Sequence, residues 1–214
     1  MKILSFFAAL FFSAALLLTA LYTVTVSSGV YERHQARLSV AERAGFSEAA
    51  LSALNREVSG YLLGKNALSE ENFTQRERMH MEDVRALVSL CRKTMLITGF
   101  LAAAGTAVVV LRLRWKAPGA LMRGALQALA AVAGVLTLAI GVAAVDFTYA
   151  FTLFHKLLFT NDLWLLSASS TLIRMFPEDF FRAMAGEIAM RFAGMLLAAL
   201  ILGKGLSRYA DTRG

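Results

Sequence analysis

The sequence predicts an all-α integral membrane protein, a four-helix bundle with amphipathic helices outside the membrane. Three observations lead to this prediction. The 214-residue chain is 57% hydrophobic and has a mean hydropathy of +0.59, which is more apolar than most soluble domains. Its apolar residues form long uncharged runs separated by charged connections, and no segment has the pattern of a convincing strand. The net charge of +7 is spread thinly between these runs, so nucleic acid is not an expected partner.

Four segments are long and apolar enough to cross the hydrocarbon core of a bilayer, which takes about 20 residues. The predicted spans are residues 3–30, 95–111, 124–145 and 186–203. The first has no charge between Lys2 and Glu32, which is longer than the roughly 7–15 apolar residues of a signal peptide, so we expect a retained anchor. Arg191 lies inside the fourth span. A charge at this depth is expected to face the bundle, with either a structural partner or a functional role.

The connections between the spans predict the orientation of the chain, which we treat as one membrane domain over residues 1–214. The cytoplasmic side of a membrane protein carries an excess of Lys and Arg. Loop 112–123 holds four bases and no acid, and tail 204–214 holds Lys204, Arg208 and Arg213 against Asp211. Residues 146–187, in contrast, hold five acids and three bases. Both termini are therefore expected in the cytoplasm, and segments 31–93 and 146–186 on the outer face.

The first outer segment is predicted to contain two helices. Apolar residues recur at helical spacing from Leu51 to Leu62, which favours an amphipathic helix lying on the membrane or on the bundle. Gly64 is a suitable stop for this helix. Thr74 and Glu77 have the spacing of a capping box, so a second helix is expected to run unbroken from residue 75 into the span at 95–111.

His80 lies in the first turns of that second helix, with Glu77 and Asp83 three residues to either side. All three side chains share one helix face. An acid that hydrogen-bonds one ring nitrogen of a histidine fixes its tautomer and raises the basicity of the other nitrogen. The alternative interpretation is a solvated charged face.

The second outer segment has a dense set of aromatic residues around His155. Such a set is typical of the water–lipid interface, and a belt with an incidental histidine is the alternative to a site. Asp146 lies nine residues before His155, on the opposite side of a continuous helix, so contact between them would need a kink or a helix end. Phe176–Pro177 is expected to end the segment, because Pro is favoured at the start of a helix.

Few residues could carry chemistry near neutral pH. Cys91 is the only cysteine, which excludes an internal disulfide and a cysteine-based metal cluster. The histidines are His34, His80 and His155. His80 and His155 with Glu77, Asp83 or Asp146 could form a three-ligand zinc site of a membrane hydrolase, although the chain lacks an H-E-x-x-H pattern. A non-catalytic module that binds lipid or a partner protein is the other alternative.

These residues resemble the bacterial family of four-span lipoprotein intramolecular transacylases (Lit). The first motif of the family is similar to His80-Met81-Glu82-Asp83-Val84. The second is similar to Asp146-Phe147, Phe154-His155, Phe159, Asn161-Asp162, Trp164-Leu165-Leu166, Leu172-Ile173, Phe176-Pro177-Glu178 and Phe180-Phe181, and a weaker upstream stretch to Asn55 and Tyr61-Leu62. Where acidic residues are expected after Trp164, this chain has Ser167-Ala168-Ser169-Ser170-Thr171, so a role for an acid there is in doubt.

The resemblance implies an acyltransferase that moves the sn-2 acyl chain of a diacylglyceryl-cysteine lipoprotein to its own N-terminal α-amine, giving the lyso-form. It implies no cofactor and no metal, a diacylated lipoprotein and membrane phospholipid as partners, and an active site on the extracytoplasmic face of the bacterial plasma membrane. His80 and His155 would be the catalytic pair, since transfer needs a base for the ammonium and an acid for the departing alkoxide.

Our working hypothesis takes His155 as the base and His80 as the acid, with the reverse assignment and a covalent acyl-histidine left open. The residues expected to bind substrate or to support the pair are Asp83, Asp146, Asn161, Trp164, Tyr61 and Arg191. Backbone N–H groups, Asn161 and the Trp164 indole are candidate donors to the oxyanion.

Overall fold

The computed structural model describes residues 1–212, except for the side chains of residues 135–144 and 211, and within this part of the chain all the regular structure is helical. The helices are α1 (Lys2–Thr25), α2 (Ser28–Arg37), α3 (Val40–Ala44), α4 (Glu48–Leu62), α5 (Gln75–Leu113), α6 (Ala117–Val145), α7 (Phe147–Leu158), α8 (Thr171–Met175) and α9 (Glu178–Asp211). A 3₁₀ turn at Arg114–Lys116 joins α5 to α6. The all-α prediction is confirmed.

Three stretches of the described residues are long and apolar enough to cross a membrane: Lys2–Thr25, Gln75–Gly134 and Glu178–Ala210. The second stretch is 60 residues long and contains the predicted span 95–111 and the first part of the predicted span 124–145. The side chains of residues 135–144 and the predicted cytoplasmic Arg213 lie outside the described residues. The four-span assignment and its orientation stay predictions.

One compact unit consists of residues 1–20, 91–141 and 189–214, and its long helices pack side by side. The Sγ of Cys91 in α5 contacts the carbonyl oxygen of Leu18 in α1 at 3.8 Å. Further along α5, a Cβ added at Gly105 would lie 3.0 Å from the Cβ of Ala8. Residue numbers rise along α5 while those of their partners fall along α1, so these two helices run antiparallel.

The chain reverses direction between α5 and α6. Arg114 has a φ of 47°, a left-handed conformation that non-glycine residues rarely adopt. After the reversal, Gly124 of α6 lies so close to the Ser5 backbone of α1 that a side chain there would clash with it. In the same unit, a Cβ at Gly203 of α9 would lie 2.9 Å from the terminal methyl of Met122 in α6.

The second compact unit consists of residues 21–90 and 142–188 and has its own hydrophobic core. The apolar face of α4 predicted from the sequence is buried there, with Leu51, Leu54 and Val58 at most 7% exposed. Helix α4 ends at Leu62, and Gly64 follows with a φ of 77°, which confirms the predicted stop. The apolar side of this helix is thus occupied by protein contacts.

The first helix ends earlier than the predicted span 3–30. Helix α1 stops at Thr25, and Ser27 begins α2 by accepting a hydrogen bond from the Val30 N–H at 3.3 Å. The hydroxyl of Tyr31 donates to the Thr25 carbonyl. Side-chain bonds at both sides of this break therefore satisfy backbone groups that helix ends leave unpaired.

The predicted capping box at the start of α5 is present. The Thr74 N–H donates to Glu77 Oε2 at 2.9 Å, and the Glu77 N–H donates to Thr74 Oγ1 at 3.3 Å. The helix then continues unbroken to Leu113. Similarly, α9 begins at Glu178, directly after Pro177. The starts of α5 and α9 are thus encoded in local sequence.

Candidate active site

His80 and His155 come from distant parts of the sequence and lie in the same compact unit. His80 occupies the second turn of α5, and His155 lies near the end of α7. Their ring centroids are 6.3 Å apart, with an interplanar angle of 35°. Each residue is 8% exposed. The structure thus brings together the two histidines that the sequence analysis selected.

The tautomer of His155 follows from one hydrogen bond. Its Nδ1 lies 2.7 Å from the carbonyl oxygen of Phe151, one helical turn back. Because a carbonyl oxygen only accepts hydrogen bonds, Nδ1 must carry the proton. The lone pair of the neutral ring is therefore on Nε2. This arrangement prepares His155 to accept a proton at Nε2.

His80 has a different environment. Its Nδ1 is buried and has no hydrogen-bond partner. Nearly all buried polar atoms in native proteins are hydrogen-bonded, and an exception calls for a reason such as a catalytic role. Neither Glu77 nor Asp83, which share its helix face, hydrogen-bonds to the ring, since the bonds of both carboxylates go to other groups.

Aromatic side chains surround the two imidazoles. Trp164 stacks on His155 with ring centroids 4.9 Å apart and an angle of 30°, and Phe151 lies 4.2 Å from the same ring. The ring of Phe159 is 5.3 Å from His80 and 5.6 Å from His155. These rings cover much of the surface of both imidazoles, which are each 8% exposed.

This burial changes the protonation of both histidines. The pKa of His80 is lowered to about 4, mainly by burial and also by the charge of a protonated His155, while the nearby Asp83 carboxylate partly opposes the shift. Burial also lowers the pKa of His155, against the effect of the Phe151 carbonyl. Desolvation disfavours a charged imidazole. Both rings are therefore neutral at pH 7.

The loop between α7 and α8, residues 159–170, is fastened to α5. The amide nitrogen of Asn161 donates to the Asp83 carboxylate at 3.0 Å, and its amide oxygen accepts from the Leu163 N–H at 3.0 Å. Arg76 donates to the Asp162 carbonyl. Asn161 was a candidate oxyanion donor in the sequence analysis, but both ends of its amide have protein partners here. The Trp164 indole and backbone N–H groups remain candidates for that role.

Three other residues predicted to support the pair have the following surroundings. Asp146 is exposed and accepts from the Tyr149 N–H at 2.8 Å as the N-cap of α7. Tyr61 is buried in α4, with the Arg85 guanidinium 5.1 Å from its ring centroid. Arg191 belongs to the other compact unit. The predicted roles of these three residues stay predictions, as do those of the histidines.

Two residues near the rings were not among the predicted site residues. Phe159 was noted only as part of a motif. Glu77 was noted as half of a capping box, as a neighbour of His80 on its helix face and as a possible zinc ligand, but not as a residue that supports the pair. The contact of Phe159 with both imidazoles, and the fully buried state of Glu77, depend on tertiary packing. In the described part of the chain, no group of three His, Cys, Asp or Glu side chains could hold a metal ion.

The chain is similar to one family of known proteins. A family model described as lipoprotein intramolecular transacylase Lit matches residues 5–181, well over half of the chain. No protein with a curated description matches in sequence. The fold is similar to the in meso structure of the membrane integral lipoprotein intramolecular transacylase Lit from Bacillus cereus, with 23% identity, a TM-score of 0.73, and coverage of 97% of this chain and 95% of that one.

A variant of the same Bacillus cereus protein with a histidine replaced by arginine is similar to a comparable degree. Its sequence is 21% identical to this chain, and the two structures match with a TM-score of 0.75 over 99% of this chain and 92% of the variant's chain. At these identities the two structures establish the fold.

Proposed function

This chain belongs to the lipoprotein intramolecular transacylase family, and we propose that His80 and His155 carry out its reaction. The enzyme is an acyltransferase that moves the sn-2 acyl chain of a diacylglyceryl-cysteine lipoprotein to its own N-terminal α-amine, giving the lyso-form. The single observation that carries the proposal is the pair of buried, neutral imidazoles, one with a free Nε2 and one with an unpartnered Nδ1.

His155 acts as the general base. Its Nε2 takes a proton from the substrate ammonium, and the free amine attacks the carbonyl carbon of the sn-2 ester. A neutral histidine with its lone pair directed away from the helix suits this step near pH 7. Because burial lowers the pKa of His155, its ring is already neutral near pH 7 and can accept a proton directly.

His80 acts as the general acid: its neutral ring gives a proton to the oxygen that leaves and regains one of the two protons that the ammonium nitrogen loses. Attack forms the carbon–nitrogen bond, and collapse of the tetrahedral intermediate breaks the carbon–oxygen bond to glycerol. Of the two protons lost by the ammonium nitrogen, one ends on the glycerol oxygen and the other is released to solvent. The unpartnered Nδ1 of His80 is the polar atom that a substrate oxygen would satisfy.

The aromatic surroundings limit competition from water. Water would hydrolyse the ester if it reached the carbonyl carbon. Phe151, Phe159 and Trp164 contact the imidazoles on several sides, which leaves little room for free water. Since amine and ester belong to one molecule, correct positioning supplies most of the catalysis, roughly 7–11 kcal/mol in favourable cases.

The site is assigned to the extracytoplasmic face of the bacterial plasma membrane. The chain crosses the membrane four times as a bundle, with both termini in the cytoplasm and phospholipid around its spans. The basic loop 112–123 and the reversal at Arg114 support this topology, because Lys and Arg favour the cytoplasmic side. The modified cysteine of a lipoprotein substrate lies at the outer membrane surface.

The test is mass spectrometry of a substrate. The chain is expressed in a bacterium whose lipoproteins carry a diacylglyceryl group and a free α-amine, and the N-terminal peptide of one lipoprotein is fragmented. Transfer leaves total mass unchanged, so the fragments must locate the acyl chain. We expect migration to the amine with the wild type, and none with His80→Ala or His155→Ala at equal protein level.

The third histidine provides a matched control. His34 lies in α2, and its Nε2, which like the Nδ1 of His80 is buried without a hydrogen-bond partner, is 3.6 Å from a carboxylate oxygen of Glu187. His34→Gln is expected to retain migration. Migration that persists in His80→Ala or His155→Ala would overturn the catalytic pair.

A further inference from the structure

Glu77 is a carboxylate with no exposed surface, and three donors converge on it. The Thr74 N–H and hydroxyl donate to Oε2 at 2.9 and 2.7 Å. The third donor comes from far along the chain: the Leu172 N–H of α8 donates to Oε1 at 2.8 Å. Hydrogen bonds to a charged acceptor are among the stronger ones in proteins. Glu77 therefore joins the start of α5 to the start of α8.

Asp83 makes a second connection from the same helix face. Its carboxylate accepts from the Asn161 amide nitrogen at 3.0 Å. Asn161 lies at the beginning of the α7–α8 loop (residues 159–170), and Leu172 follows its end. The two carboxylates, three residues to either side of His80, thus hold the loop at both ends.

We propose that Glu77 and Asp83 are positioning residues that fasten the α7–α8 loop across His80 and thereby set its distance from His155. The proposal rests on the proposed function. Neither carboxylate bonds to the His80 ring, whose Nδ1 is unpartnered, so they act through the loop. The loop carries Trp164, which stacks on His155, and begins with Phe159, which contacts both imidazoles.

The geometry of the loop explains why two attachments are needed. His80 and His155 stand on different helices and do not hydrogen-bond to each other, so no direct bond holds their separation of 6.3 Å. Glu77 fixes the far end of the loop in a buried place. Asp83 fixes the near end, next to the aromatic rings. Arg76 also donates to the Asp162 carbonyl of this loop, so loss of either carboxylate attachment loosens one end of the loop and lets Trp164 and Phe159 shift relative to the imidazoles.

The experiment is a double-mutant cycle on Asp83 and Asn161, read as kcat and KM for acyl migration in a synthetic diacylglyceryl-cysteine peptide with the purified full chain. We expect Asp83→Ala and Asn161→Ala each to lower kcat by about tenfold, with little change in KM, since a misplaced group costs catalysis more than binding. The double variant should be no slower than either single variant.

Conservative variants separate positioning from charge. Asp83→Asn keeps an oxygen that accepts from Asn161 and should retain most of the wild-type kcat. If Asp83→Asn is as slow as Asp83→Ala while Asn161→Ala is as fast as the wild type, the charge on Asp83 matters and the proposal is overturned. Glu82→Ala, on the opposite face of α5 and exposed, is the charge-matched control and should behave as the wild type.

Glu77 is tested against its capping partner. Glu77→Ala loses both the cap and the bond to Leu172, whereas Thr74→Ala loses the cap and keeps that bond. The proposal predicts a lower kcat for Glu77→Ala alone, at equal amounts of folded protein. Equal losses in both variants would assign the effect to the cap. If Glu77→Ala does not fold, the cycle on Asp83 and Asn161 still decides.

The outcome also distinguishes this proposal from the proposed function. If the wild type transfers no acyl chain, the proposed function fails. If the wild type is active, His155→Ala is inactive, and the Glu77, Asp83 and Asn161 variants keep the wild-type kcat, only the positioning role fails.

Discussion

The indole of Trp164 stacks on the imidazole of His155, with ring centroids 4.9 Å apart and an interplanar angle of 30°. One face of the proposed base is thereby covered by a large apolar ring. Burial is the main cause that lowers the pKa of His155. The stacking therefore ties the protonation of the base to the position of the α7–α8 loop.

Removing this cover should shift the pH dependence. In Trp164→Ala, His155 is more hydrated, so its pKa should rise toward the ordinary value of about 6.5. A higher pKa means that protonation begins at higher pH. The acid limb of kcat/KM should accordingly move upward, and Trp164→Phe, which keeps a ring, should move it less. If kcat/KM falls at the same pH in the wild type and in Trp164→Ala, the stacked ring does not set the pKa of His155.

The wild-type profile follows from the same shifts. The base must be neutral, and both histidine pKa values are lowered, that of His80 to about 4. As pH falls, the decline of kcat/KM should therefore have its midpoint below about pH 6.5, the ordinary pKa of a histidine. The measurement is initial rate at low substrate concentration in buffers of constant ionic strength. A decline that begins above pH 7 and follows histidine protonation would show that the lowered pKa values are wrong.

A buried pair of amides should matter for stability. Gln35 Nε2 donates to Asn55 Oδ1 at 3.1 Å and to the Met175 carbonyl at 2.9 Å, and Asn55 Nδ2 donates back to Gln35 Oε1 at 2.5 Å. These bonds join α2, α4 and the end of α8. Asn55→Ala leaves buried groups of Gln35 unpaired, which should lower the free energy of unfolding by about 1–3 kcal/mol.

Thermal unfolding in detergent measures this effect. The control is Asn72→Ala, since Asn72 is exposed and its amide donates to Glu57 at the surface, where the change should be within about 0.5 kcal/mol. A midpoint for Asn55→Ala equal to that of Asn72→Ala would argue against the buried pair as a source of stability.

The membrane topology can be tested by cysteine labelling. In a Cys91→Ser background, Glu71→Cys reports on segment 31–93 and Lys116→Cys on loop 112–123, and both positions are exposed. Membrane-impermeant maleimide should label Glu71→Cys in intact cells and Lys116→Cys only after permeabilisation. The reverse pattern would invert the orientation, and labelling of both in intact cells would contradict the number of spans between them.

A chelator should leave activity unchanged. The proposed transfer uses only the two imidazoles, and among the residues that the structure describes no three His, Cys, Asp or Glu side chains converge to hold a metal ion. Dialysis against EDTA, followed by assay with and without added Zn²⁺, is the measurement. Loss of activity that Zn²⁺ restores would revive the metal-dependent hydrolase alternative.

Local sequence predicted the long helices and the starts of α5 and α9, and it selected the two histidines, but it did not predict the break after Thr25 or the short helices α2, α3 and α8. Long apolar runs predicted the long helices, the spacing of Thr74 and Glu77 predicted the start of α5, and Pro177 the start of α9. These patterns can be read directly because they depend on neighbours within one or two helical turns. The motifs around His80 and His155 likewise pointed to the family and to the pair.

Tertiary structure decided what these residues contact. The Leu172 partner of Glu77, the amide of Asn161 bonded to Asp83, and the Trp164 ring on His155 each join elements that lie far apart in sequence. Periodicity gives the face on which a side chain lies, but not which element packs against that face. The sequence analysis expected Glu77 and Asp83 to hydrogen-bond the His80 ring. In the structure their carboxylates instead accept from Leu172 and Asn161, residues that follow and begin the α7–α8 loop. The sequence could not show this, because these donors come from a distant part of the chain.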